Sequence, residues 1–186
     1  MRAARASVVL VAALLVVAGC SRDPEPAPTA LVVPSHAPSG AVLVCGVDDA
    51  SLSAVTGESA GGPVAGPTLD GEPCSAEMPD DAPLAGQRAL LAVTVVPVDS
   101  AEGAAELERI DGKRDRAPDV RYDDVRGAAW LDDAARERRF SGTSGASVVR
   151  GDHVVSVTIG SGAADRDIAA DLLALSGQVA HSVGLD

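Results

Sequence analysis

Aromatic residues are almost missing from this chain. One Trp, one Tyr and one Phe stand among 186 residues, and Tyr122, Trp130 and Phe140 all fall in one short stretch. Platforms for single-stranded nucleic acid stack bases on aromatic faces set in a basic groove. Basic residues are in the minority too, with 15 Lys and Arg against 27 Asp and Glu and a formal net charge of −12. A surface of that sign repels phosphate backbones and anionic headgroups, so nucleic acid is excluded as a partner.

Lysine is scarcer still, because Lys113 is the single one. A penicillin-binding site needs Ser-x-x-Lys, and the residue three places before Lys113 is Ile110, which removes that class. A P-loop fails because Gly112-Lys113 is followed by Arg114 instead of Ser or Thr. The nearest approach to a hydrolase nucleophile elbow, Gly142-Thr143-Ser144-Gly145-Ala146, lacks the final Gly in register. His36, His153 and His181 are scattered and share no recognised ligand spacing with the cysteines. Neither a metal nor a cofactor is expected.

What is present begins with an export signal. Arg2 and Arg5 form a positive n-region, Ser7 to Val17 is an apolar run, and Val17-Ala18-Gly19 ends it in small residues before Cys20. The run meets polar Ser21, Arg22 and Asp23 too soon to cross roughly 30 Å of hydrocarbon. A Cys directly after Ala18-Gly19 is the mark of a lipoprotein signal, so residues 1–19 are read as the signal peptide and Cys20 as the lipidated first residue of the mature chain. Two or more acyl chains on Cys20 give a stable anchor. Removal of Arg2 and Arg5 leaves 13 basic and 27 acidic residues, a charge of −14.

Residues 20–40 are read as the lipidated Cys and a tether, with Pro24, Pro26, Pro28, Pro34 and Pro38 among Ala, Ser and Thr and no amphipathic period. At about 3.1 Å per residue, extended chain of that kind reaches roughly 60 Å. Residues 41–186 are the expected globular domain, of ordinary size for one domain. Cys45 and Cys74 remain after Cys20 is assigned to lipid, and in an oxidising compartment they are read as a disulfide. The bridge would pin the Gly- and Pro-rich loop from Glu58 to Pro73.

The periodicity predicts an α+β fold, an antiparallel sheet with packed helices. Asp48-Asp49 lead a short helix that Gly57 stops. Arg88 to Val98 reads as a buried strand ending near Pro97. Asp99-Ser100 cap a helix with Ala101, Ala104, Leu107 and Ile110 on one face, closed by Gly112, and Lys113 to Arg121 is charged loop. Gly151-Asp152 between Ala146 to Arg150 and His153 to Ile159 is a two-residue hairpin link. Ile168, Leu172, Leu175, Val179 and Val183 then make the apolar stripe of a last helix that packs on the sheet.

Three constellations carry the remaining chemistry. Asp152-His153 lies near Ser147 and Ser156, and an imidazole oriented by a carboxylate can activate a hydroxyl. Strand alternation, however, sends His153 and Val155 to one face and Val154 and Ser156 to the other, so a turn Asp beside a solvent-edge His is expected. His181 is expected at the surface or its boundary. The acidic pairs Asp48-Asp49, Asp80-Asp81, Asp123-Asp124 and Asp132-Asp133 lie in no EF-hand loop and read as helix caps and solvated turns. Tyr122, Arg126, Trp130 and Phe140 share one stretch with further arginines, a composition enriched at recognition surfaces, and they form the candidate interaction patch. The reading preferred to that patch is that Trp130 and Leu131 fill core beneath a charged turn.

From Cys45 to its end, the chain resembles a family of actinobacterial lipoproteins of unknown function. The pieces that carry the resemblance are Cys45, the helix ending at Gly57, Cys74, the strand Leu90 to Val98 with the helix after it, Gly127-Ala128-Ala129, the Gly151-Asp152 hairpin and the final helix. It implies an exported, lipid-anchored domain and supplies no catalytic residue. The expectation is a non-enzymatic binding or interaction module for an envelope protein, on the outer face of the cytoplasmic membrane. The alternative is a carrier of a small apolar or lipidic ligand, which needs a cavity between sheet and last helix, and an envelope hydrolase ranks third.

Overall fold

In the computed structural model, residues 32–80, 89–114, 127–130 and 144–185 are described. The chain is α+β. A two-stranded hairpin, β1 (Leu43–Val44) and β2 (Val47–Asp48), leads into helix α1 (Asp49–Thr56). Then follow β3 (Cys74–Glu77), β4 (Ala89–Pro97), α2 (Ala101–Arg114), β5 (Gly127–Trp130), β6 (Ser144–Arg150), β7 (His153–Ile159) and α3 (Ile168–Ser182). The five longer-range strands form one antiparallel sheet in the order β3-β4-β7-β6-β5.

Alternation divides the sheet into two buried faces. Leu91, Val93 and Val95 of β4, Val155, Val157 and Ile159 of β7 and Ala129 and Ala146 pack with Leu172, Leu175 and Val179 of α3 and with Leu52 and Val55 of α1. The opposite face carries a smaller cluster, Val96, Ala128 and Val154, covered by Ile110 and Leu107 of α2. Small residues let the strands and helices approach closely: a Cβ on Gly127 would lie 3.0 Å from Val148 and 3.1 Å from the Ser147 carbonyl.

The helix ends follow from local chemistry. Asp48 caps α1 by accepting the Ser51 N–H at 3.1 Å, and Gly57 ends the helix at φ 80°, where its N–H reaches the Ser53 carbonyl. The Ser100 hydroxyl accepts the Gly103 N–H at 2.9 Å ahead of α2. Gly112 does not close that helix, which runs on to Arg114. A Gly inside an exposed turn costs about 1 kcal/mol against Ala, yet it stops a helix by adopting left-handed φ, and Gly112 does not. Lys113 and Arg114, expected in loop, are therefore the last residues of α2; residues 115–121 lie outside the described residues.

The Cys45–Cys74 disulfide is present, with Cα atoms 5.6 Å apart. Cys45 and Gly46 are the two turn residues between β1 and β2, at φ 51° and 83°, the mirror-image turn that suits strand twist. A left-handed Cys is sterically unfavourable. It is held there by the bridge and by its N–H donating to the Val64 carbonyl at 3.1 Å. Val64 in turn bridges Val44 in parallel, so the Gly- and Pro-rich loop has one point of β pairing.

One boundary differs from the sequence reading. Among the described residues, packing begins at Val33, which is buried in the main core, eight residues ahead of Ala41. The prolines around it offer no period by which that contact announces itself. Among the described residues, no helix is long and apolar enough to cross a membrane.

Candidate functional site

The chain just ahead of the domain docks as a strap across α3. Gln178, on α3 and 1% exposed, ties three segments together. Its Oε1 accepts the Asp48 N–H at 2.8 Å, while its Nε2 donates to the Pro34 carbonyl at 2.8 Å and to the Ser51 hydroxyl at 3.2 Å. The Ser51 hydroxyl in turn donates a hydrogen bond to the Asp48 carboxylate at 2.8 Å. Beside this network the strap runs so close to α3 that a Cβ on Gly177 would stand 2.9 Å from the Ser35 carbonyl. That close approach accounts for a Gly inside an otherwise good helix.

The docked strap forms one wall of a half-open cleft of about 440 Å³. Ser35 and His36 of the strap, Val149, Arg150 and Gly151 at the β6–β7 turn, and Gly177, Ala180, His181 and Leu185 around the end of α3 line it. Its size lies within the range of small-molecule pockets, and its apolar floor with a few polar side chains has their usual make-up. The rings of His36 and His181 meet edge to face with centroids 4.7 Å apart. His36 Nδ1 is hydrogen-bonded to the Ser35 hydroxyl at 3.1 Å. The α3 carbonyls near this end are capped: Val183 N–H donates to Val179 and Ala180, Gly184 to His181, and Leu185 to Ala180.

A second polar cluster lies between α2 and the other sheet face. Ser147 and Ser156, paired across β6 and β7, are hydrogen-bonded to each other at 2.6 Å. Ser147 also donates to Glu106 at 2.9 Å and accepts from Arg109 at 2.8 Å, and Arg109 is ion-paired with the same Glu106 oxygen. Ser147 is fully buried. A hydroxyl so enclosed and so partnered holds a helix on a sheet and is poorly placed to attack a substrate.

The Asp152–His153 pair forms, with Nδ1 and Oδ1 2.7 Å apart. It reaches neither serine, because both hydroxyls are committed to the α2 face, as strand alternation predicts. His153 is more enclosed than a solvent-edge side chain, at 13% exposure, whereas Asp152 is at 88%. His181 is exposed, as expected. Asp48 and Asp49 act at the start of α1, and Asp49 also accepts from Ser59 and the Ala60 N–H. Among the described residues no group of three or more His, Cys, Asp or Glu is placed to hold a metal ion.

Cys20, Tyr122, Arg126 and Phe140 lie outside the described residues, as do Asp81, Asp123-Asp124 and Asp132-Asp133. The backbone of Trp130 pairs with Gly145 in β5 and β6, and its side chain lies outside the description.

Sequence reasoning missed the strap, the cleft and the Glu106 cluster. One signal was at hand for the last: a two-residue turn at Gly151-Asp152 fixes the hairpin register, and that register sets Ser147 opposite Ser156. For the strap, the available signal is Gln178, a polar residue adjoining the α3 stripe between Leu175 and Val179. Nothing in the sequence joins His36 to His181. No protein family, curated protein or solved structure matches the chain.

Proposed function

We propose that this chain is a lipid-anchored, non-enzymatic binding module on the outer face of the cytoplasmic membrane of a bacterium, serving an envelope protein. The observation that carries the reading is the Cys45–Cys74 disulfide, built into the turn and sheet edge of the domain. Structural disulfides persist in oxidising, extracytoplasmic compartments, which agrees with the export signal and with Cys20 as the lipid acceptor. The resemblance to actinobacterial lipoproteins points the same way.

With Val33 docked, at most residues 21–32 are left to link Cys20 to the domain, and extended chain of that length would reach roughly 37 Å at about 3.1 Å per residue. That distance suits a domain that meets other envelope components close to the bilayer. The commitment of Ser147 and Ser156 to Glu106, on the face away from His153, supports binding over hydrolysis.

Metabolic labelling with an alkyne fatty acid tests the anchor. The wild-type chain should take up label and fractionate with membranes, and Cys20→Ala should lose both. Equal labelling of the Cys20→Ala chain would remove the lipoprotein reading. Cross-linking in intact cells tests the module, and recovery of the chain without a specific partner would count against a protein ligand.

A second reading, a carrier of a small ligand, is favoured by the cleft beside the strap. The lining of that cleft shares no residue with the sheet–α3 layer of Leu172, Leu175, Val155 and Val157.

A further inference from the structure

We infer that the cleft beside the strap is a binding site for a small organic anion, a carboxylate or phosphate on a short apolar body. Arg150, His36 and His181 would hold the anionic head, and Val149, Ala180 and Leu185 would seat the body. The inference rests on the small-ligand reading and names its chemistry.

The sign of the lining carries the argument. In a chain with 27 acidic and 15 basic residues, three of the nine described residues that line the cleft are Arg or His, and none of those nine is acidic. The nearest acidic residue along the turn, Asp152, is hydrogen-bonded to His153. A guanidinium presents several N–H donors in a planar fork that fits carboxylate and phosphate oxygens. Arg150 and His181 already have partners, and a guanidinium has five N–H donors, enough to keep one partner and still meet an anion. His36 spends Nδ1 on Ser35, which fixes the ring and leaves Nε2 as its polar atom toward a ligand.

Two alternatives are weaker. A divalent cation on the two imidazoles would share the cleft with a guanidinium of like charge. The carbonyl end of α3 favours cations, but Val183, Gly184 and Leu185 already cap those carbonyls, and a capped helix end carries less than one full charge.

The test is a titration of the full chain, ¹⁵N-labelled and held in a non-ionic detergent, with butyl phosphate, butyrate and butanol. The two anions should give saturable shifts at the amides of Gly151, Gly177, Ala180 and His181, and butanol should give none at equal concentration. Arg150→Gln should weaken anion binding at least tenfold. His36→Asp, at an exposed position, should abolish it while leaving the rest of the amide spectrum unchanged. A short-chain phosphatidylglycerol that displaces butyl phosphate would make a lipid headgroup the source of the anion, and failure to displace it would make the source a soluble anion; either supports the site. Equal response to butanol would overturn the anion assignment and keep the small-ligand reading. No saturable shift with any of the three would overturn both, and anion binding unaffected by the two variants would overturn the assignment to these residues.

Discussion

Replacing Gln178 by Leu keeps the side-chain volume close and removes three hydrogen bonds at a site that is 1% exposed. Each such bond contributes about 1 kcal/mol net, and a buried donor left without an acceptor costs about 1–3 kcal/mol. The three losses are unequal. Pro34 is exposed, so its carbonyl finds water, and the Ser51 hydroxyl keeps its bond to Asp48. The Asp48 N–H has no such recourse, because Asp48 is buried at the start of α1. Burial of the added apolar surface returns roughly 1 kcal/mol, which leaves a net loss of about 2–3 kcal/mol. Urea unfolding of Gln178→Leu should show a lower midpoint at unchanged slope, the sign of a stability change without a change in compactness. Amide exchange should quicken first at Asp48, whose N–H loses the Gln178 acceptor. A loss below about 0.5 kcal/mol, within the range of ordinary surface substitutions, would refute the role given to this side chain.

Reduction of Cys45–Cys74, or the paired change Cys45→Ala with Cys74→Ala, should lower unfolding stability by about 3.5 kcal/mol through the entropy returned to the unfolded chain; calorimetry with and without reductant measures it. Gly103→Ala would place a Cβ 2.0 Å from the Pro97 carbonyl, which forces the first turn of α2 away from β4. The expected cost is about 1–3 kcal/mol, against the gain of up to about 1 kcal/mol that Ala for Gly brings to an unobstructed helix, and a rise in melting temperature would contradict it.

The parts of the fold that could be read from sequence are those whose signals are local. The α1 helix announces itself through Asp48 and Gly57, the β6–β7 hairpin through Gly151-Asp152, and α3 through the buried Ile168, Leu172, Leu175 and Val179, whereas Val183, expected in the same stripe, is the half-buried cap beyond the helix. The β1–β2 turn was invisible because Cys45-Gly46 is not a customary turn pair, and its geometry is imposed by a bridge and by Val64. Strands β3 and β5 are four residues each, too short for alternation to stand out. The candidate site was illegible for a different reason. The Gln178 bond to Pro34 spans 144 residues, and the cleft exists because a proline-rich strap with no pattern of its own lies where a helix glycine makes room.

That strap gives the domain boundary an energetic meaning. A chain beginning at Ser35 loses the burial of Val33, worth about 1.5–3 kcal/mol. It also escapes the cost of ordering two residues, about 1–2 kcal/mol each for the backbone, and these terms nearly cancel. The sign is decided by what stays behind. Gln178 remains buried with an N–H of Nε2 that has lost the Pro34 carbonyl, and that penalty of about 1–3 kcal/mol has no offset. The chain from Ser35 should therefore be less stable than the chain from Val32 by about 1–2 kcal/mol, measured by urea unfolding of the two side by side. The same logic makes the two perturbations non-additive. In the chain from Ser35, Gln178→Leu removes an amide already short of a partner, so its cost should fall by about 1 kcal/mol relative to the chain from Val32. Strict additivity across the four proteins would show that the strap and α3 are not coupled through Gln178, whatever the absolute stabilities.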